Sequence, residues 1–269
     1  MVNIRQRTAN VWPVREFKAN GTGTASDPFV PVHDVFIQDQ HSETIDIYLC
    51  NHAGTTAPTV AAAVGVTQIT VADDGDAILY GCIDITENGR FFQSLVGDIT
   101  DNVITFKSPL DFAITTDAVV SFGQWDLSTA NGSLVSPVMF HAGPPAGVVW
   151  DVYTLSLSIS DATAMDDLKF GGITALTNGF YARAVNGQAK NLFLVSNNRG
   201  FREYGFDTDY PSKVPTGSYA FWATKNYHEK NGVCLRLDGD SGDRIEIPVV
   251  DNLTDLTDFS FSLHGHEVV

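Results

Sequence analysis

Val64-Gly65-Val66-Thr67-Gln68-Ile69-Thr70-Val71, then Asp73-Asp74-Gly75-Asp76, then Ile78-Leu79-Tyr80-Gly81-Cys82-Ile83-Asp84-Ile85 running into Asn88-Gly89, is the stretch that decides the fold class. β-Branched residues fill both runs, and each run stops at residues that favour turns. Asn88-Gly89 suits a two-residue hairpin, because both central positions of a type I′ turn need positive φ. Arg90–Val96, Val103–Phe106 and Ala118–Phe122 follow at strand length. Five short strands so closely spaced predict a compact curled sheet or small barrel-like unit.

The flanking sequence carries the same signature on a larger scale. Val35–Ile37 and Thr44–Leu49 read as a strand pair, and Trp150–Ile159 places Tyr153, Leu155, Leu157 and Ile159 on one face. Phe180–Val185 and Asn191–Val195 flank Asn186-Gly187 as a second hairpin. Ser218–Thr224, Val233–Leu237, Arg244–Val250 and Phe259–Leu263 complete the strands, Asp166-Asp167-Leu168 suits one helical turn, and Asn197–Pro215 is irregular. Asn-Gly occurs six times and no twelve-residue amphipathic helix is visible. The prediction is all-β: an antiparallel β-sandwich from 32–60 and 126–269, an inserted small β-barrel-like unit at 61–125, and an extended N-terminal arm at 1–31.

Charge narrows the partners. The chain of 269 residues has a net charge of -16. Binding to nucleic acid or to an anionic membrane surface is not expected of it, since both need clustered Lys and Arg. The first eighteen residues run the other way, with Arg5, Arg7, Arg15 and Lys18 against Glu16 alone, so they carry +3 and the remainder -19. Arg5, Arg7, Trp12, Arg15 and Phe17 are therefore the candidate interface residues, cations and apolar anchors of an arm that reaches an acidic neighbour. No signal-peptide core and no apolar window of membrane-spanning length is present in the sequence.

Cys50, Cys82 and Cys234 are odd in number and far apart. They show neither a disulfide framework nor metal-ligand spacing, and they read as small hydrophobes of a protein assembled in a reducing compartment. Asp238-Gly239-Asp240-Ser241-Gly242-Asp243 resembles a calcium loop but lacks its ligand order, and hairpin-turn chemistry explains it. His264 and His266 share a strand face without a third ligand. Tyr204, Phe206, Tyr210, Tyr219, Phe221, Trp222 and Tyr227 concentrate aromatic surface for core packing, a sugar or a protein interface. No nucleophile elbow, P-loop or nucleotide fingerprint occurs. No catalytic residue, metal or cofactor is assigned, and an enzyme is not expected.

The layout resembles that of β-rich virion structural proteins of tailed bacteriophages. The resemblance rests on Ile104–Leu110 with Val119-Val120, Leu168–Ile173 with Leu176–Gly179, Gly232–Leu237, Asp251–Phe259 and Gly265–Val268. It implies a homo-oligomeric component of a tail, baseplate or neck that contacts other virion proteins and is assembled into the virion in the host cytoplasm. A capsid decoration protein or a glycan-binding adhesion module is the alternative.

Overall fold

The computed structural model describes residues 3–5, 15–20, 30–36, 41–173, 176–186, 188–210, 219–227 and 234–268, with side chains from residue 44 on apart from 186 and 188. Among them β1 (Asn3–Arg5), β2 (Arg15–Asn20) and β3 (Val30–Phe36) form a three-stranded sheet of their own. β4 (His41–Tyr48) and β5 (Asn51–Thr56) precede the small unit of β6 (Gln68–Thr70), β7 (Cys82–Glu87), β8 (Arg90–Thr100), β9 (Val103–Phe106) and β10 (Val119–Gln124). Then come β11 (Val138–Ala142), β12 (Val149–Asp161), β13 (Phe180–Asn186), β14 (Gln188–Val195), the one-turn helix α1 (Asn198–Glu203), β15 (Asp207–Asp209), β16 (Tyr219–Asn226), β17 (Leu235–Asp238), β18 (Arg244–Val249) and β19 (Asp258–Val268).

The protein is all-β, and its larger part is an antiparallel sandwich. One sheet runs β11-β18-β13-β14, and the other runs β15-β16-β12-β19-β4 with β17 also on β12. Between them lies a core built on Trp150, Phe140, Phe180, Phe193, Phe221, Phe259 and Phe261. Its rings pack on one another, Phe180 lying 4.7 Å from Phe259 and 5.9 Å from Phe193. Rings at such spacing add to the area that they bury. The small unit has a separate core of Ile69, Ile83, Ile85, Val96, Ile104, Phe106 and Phe122. Its sheet runs β5-β10-β7-β8-β9-β6, and the segment just past β5 meets the end of β6 again, with Pro58 bridging Val71 and the Thr59 N–H donating to the Thr70 carbonyl at 2.8 Å.

Asn88 and Gly89 adopt φ of 51° and 74° between the paired ends Glu87 and Arg90, the turn that the sequence predicts. Four expectations change. The N-terminal stretch, read as an unpaired arm, is stranded: Ile4 faces Phe17, Arg5 faces Glu16, and Arg15 faces Phe36. Arg7 and Trp12 lie outside the described residues. β4 pairs with β19, as Ile47 opposite Leu263 shows, and β3 with β2, so among the described residues Val35 and Phe36 are not in the expected hairpin with Thr44–Leu49, and Ile37 lies outside them. β5, placed by its sequence with the sandwich, pairs with β10 in the smaller sheet. The helical turn falls at Asn198–Glu203, capped by the Asn197 side chain, instead of at Asp166–Leu168.

β12 shows why a clean period misled. Trp150 and Val152 are buried at even positions, and Leu155, Leu157 and Ile159 at odd ones. The ladder with β19 skips from Val152–Gly265 to Thr154–His264, leaving Tyr153 as an extra, bulged residue. A bulge reverses the side-chain phase, so both halves of the strand face one core. Gly265 permits it, because a Cβ there would collide with the Asp151 carbonyl. Tyr153 is turned out of the core stripe and packs 5.4 Å from His266.

Two buried carboxylates of the sandwich are matched by arginines. Arg236 grips Asp151 through two bonds of 2.7 and 2.6 Å, and Glu246 accepts from Arg183 and Arg244 at 2.7 and 2.6 Å. Burial raises the Glu246 carboxyl, but the two guanidinium groups outweigh it and hold it below the usual range. Asp258 has the opposite fate. Burial, with the charge of Asp126 adding to it, pushes its carboxyl up from 3.8 to about 6. The folded chain holds this proton more tightly than the unfolded chain, so the contribution to stability falls as pH rises from about 4 to 6. Asp258→Asn should therefore raise stability at pH 7.5 by on the order of 1–2 kcal/mol, after allowance for solvent screening. Urea melts should show the gap between variant and wild type growing from pH 4 to pH 7, and a constant gap would contradict the assignment.

Candidate functional site

The chain leaves the sandwich for the small unit at Leu49-Cys50 and returns through Gln124. At that junction Cys50 bridges to His141 of β11, with N–H donors and carbonyls paired at 3.2 and 2.9 Å. Side chains two apart on extended chain share a face. Cys50 and His52 thus point together on one segment, and Cys82 and Asp84 on β7, whose other face sends Ile83 and Ile85 into the small core. β10 runs between β5 and β7, and its Gly123 is opposite both His52 and Cys82. A Cβ at Gly123 would overlap the Asn51 carbonyl, so glycine is what lets the strands close up.

Four potential ligands converge there. One ligand atom from each of Cys50, His52, Cys82 and Asp84 lies within 4.8 Å of every other, the one such group among the described residues. Cys50 and Cys82 are bonded through their sulfurs, with Cα atoms 6.8 Å apart. His52 Nε2 donates to Asp84 Oδ2 at 2.6 Å. Asp84 is only 7% exposed, and its Oδ1 has no hydrogen-bond partner. Gln93 Nε2 donates to Cys50 Sγ at 3.5 Å and to the Tyr48 carbonyl at 3.1 Å, while its Oε1 accepts from the Tyr48 N–H at 2.8 Å. The His141 ring packs 5.0 Å from His52, and burial followed by the charges of His52 and Arg244 lowers its pKa.

An apolar patch borders this cluster. Leu79 is 47% and Tyr80 60% exposed, and Ile78 and Tyr48 are exposed as well. Trp125 stacks on Tyr48 at 5.4 Å and donates its indole N–H to the Tyr80 carbonyl at 2.8 Å. Tyr80 is held at φ 64°, a conformation that costs a bulky residue free energy and that surrounding bonds must enforce. Ile78–Gly81, closed by the Gly81 N–H on the Ile78 carbonyl at 2.8 Å, is a turn that was read from sequence as the start of a strand.

The other candidates are engaged elsewhere. In the 238–243 turn, Asp238 accepts from Asp240 N–H at 2.9 Å, Asp243 from Asp238 N–H at 3.1 Å, and Asp240 from Gly147 N–H at 2.7 Å. His264 pairs with Asp46 at 3.0 Å and His266 with Tyr153, so the two imidazoles do not converge. Of the aromatic run, Phe206 and Phe221 are core, Tyr210 and Tyr227 pack on it, and Tyr204 and Trp222 are exposed. Arg5 lies on β1, and Arg15 and Phe17 on β2.

The cysteines are the correction. They were read as three independent hydrophobes, and two of them meet beside a histidine and a carboxylate. The signal was present in Cys50-Asn51-His52 and Cys82-Ile83-Asp84, two ligand-x-ligand pairs, and was missed because the three cysteines were set only against one another. No protein-family model matches the chain, and no match was found among curated proteins.

Replacing Gly123 by alanine should disturb this junction first. The forced overlap with Asn51 should cost about 2 kcal/mol, as overpacking of a closed site does. A denaturant midpoint equal to that of wild type would show that the strands have room to separate.

Proposed function

We propose that this protein is a structural component of a tailed-phage virion, of the tail, baseplate or neck, and that it works by protein–protein assembly and not by catalysis. The observation that carries the proposal is the apolar patch of Tyr48, Ile78, Leu79, Tyr80 and Trp125. Contiguous exposed apolar side chains mark surfaces that another protein covers. Two features suit this patch to rigid docking. The Trp125–Tyr80 hydrogen bond fixes the turn, and aromatic residues lose little conformational freedom when covered.

Charge supplies a complement. The body is strongly acidic and the N-terminal stretch basic, so one copy offers cations that another copy's body can attract. Arg5, Arg7, Trp12, Arg15 and Phe17 retain their proposed part in that contact, now presented in part on β1 and β2. The resemblance to β-rich virion proteins supports the same reading.

Light scattering on the full chain tests it. The wild type should form a discrete assembly of several 29.1 kDa chains. Leu79→Asp should shift the mass toward the monomer while moving stability by no more than about 0.5 kcal/mol, as for an exposed position. A wild-type monomer at all concentrations, indifferent to Leu79→Asp, would count against the proposal.

A further inference from the structure

We propose that the Cys50–Cys82 pair, in its dithiol state, joins His52 and Asp84 to bind one thiophilic divalent cation of the zinc type. A disulfide needs two sulfurs and accounts for nothing else at the junction. It leaves unexplained why an imidazole and a carboxylate occupy the i+2 position of both cysteine segments and face the same point. It also leaves Asp84 buried with one oxygen unsatisfied, which proteins ordinarily avoid. A cation answers both.

The donor set is suited to that class of ion. Two thiolates, one imidazole and one carboxylate are ligands that Zn²⁺ accepts in tetrahedral array, with metal–sulfur bonds of about 2.3 Å and metal–nitrogen bonds of about 2.0 Å. The ligand atoms already lie within 4.8 Å of one another, so modest side-chain rotation closes such a shell. Sulfur donors argue against Ca²⁺ and Mg²⁺, which take oxygen. The surroundings match too, since the Gln93 amide donates to Cys50 Sγ, and outer hydrogen bonds of this kind orient ligands.

Binding involves no change of oxidation state. Each thiol gives its proton to solvent and its sulfur electron pair to the cation. His52 ligates through Nε2 once its proton has moved to Nδ1, and its contact with Asp84 is exchanged for shared ligation. Joining the sulfurs as a disulfide removes two electrons and two protons from the dithiol, and a dithiol or phosphine reductant returns them. The two forms are therefore exclusive. All four positions are filled by the protein, which makes the site a structural clamp with no open place for substrate. The clamp ties β7 of the small unit to the segment where the chain leaves the sandwich.

The test uses the full chain, kept with a phosphine reductant, stripped by a chelator and titrated with Co²⁺. One equivalent should bind, giving the visible bands of tetrahedral cobalt and sulfur-to-cobalt charge transfer. Zn²⁺ should displace it and protect two of the three cysteines from a thiol reagent. Cys82→Ser should lose most of the charge-transfer intensity. His52→Gln, which keeps both thiols and is the less buried change, should weaken binding at least about tenfold. The proposal is overturned by a reduced protein that takes up no Co²⁺, by uptake without charge transfer, or by His52→Gln binding as tightly as wild type. It is equally overturned if the sulfurs stay joined in the folded protein under excess reductant. Should Cys82→Ser fail to fold, His52→Gln and the wild-type titration decide the matter.

Discussion

A strand of thirteen residues, β12, must serve one hydrophobic core although its own apolar period breaks midway. The break is absorbed at Tyr153, and the rest of the sandwich depends on it. β12 pairs with β16, β17 and β19, so its phase sets the phase of the six-stranded sheet. Without the bulge, either Trp150 and Val152 or Leu155, Leu157 and Ile159 would face away from the core. The loss of two or three buried large side chains, at about 1.5–3 kcal/mol each, would remove a large part of the stability a domain ordinarily has. Gly265 on β19 is the matching concession, giving up a side chain so that the Asp151 carbonyl can approach.

The same logic of close approach governs the junction. β8 alternates between two masters: Phe92 and Val96 enter the small core, whereas Phe91 packs edge-on to Trp150 at 5.5 Å and Gln93 holds the backbone of Tyr48. The small unit is thus bonded to the sandwich by one face of a strand whose other face it keeps. Gly123 completes the arrangement by letting β5, β10 and β7 crowd together, which is what brings the Cys50 and Cys82 segments into register.

Much of this was legible in the sequence and some was not, for physical reasons. Asn88-Gly89 could be read because a local requirement for positive φ needs no tertiary partner. The all-β class followed from turn chemistry and from alternation such as Ile45, Ile47 and Leu49, all buried as expected. Pairing partners were harder: β4 lies on β19, over two hundred residues away in the chain, and nothing local encodes that choice. The phase reversal at Tyr153 depends on a glycine in another strand. The cluster of Cys50, His52, Cys82 and Asp84 needed two weak patterns to be superposed, and only the strand between them does so.

One more consequence follows from the pairing of Asn51 with Gln124. Opposed residues of an antiparallel ladder have Cα atoms about 4.5–5.5 Å apart. The small unit therefore enters and leaves through a doorway barely wider than a single peptide linkage. To the sandwich it is equivalent to a loop that crosses from β4 in one sheet to β11 in the other. A body attached in this way can be acquired, exchanged or removed in evolution without redrawing the host, since the gap to be sealed is one that a few residues span. Its side chains can then diverge toward new neighbours while the sandwich beneath stays fixed.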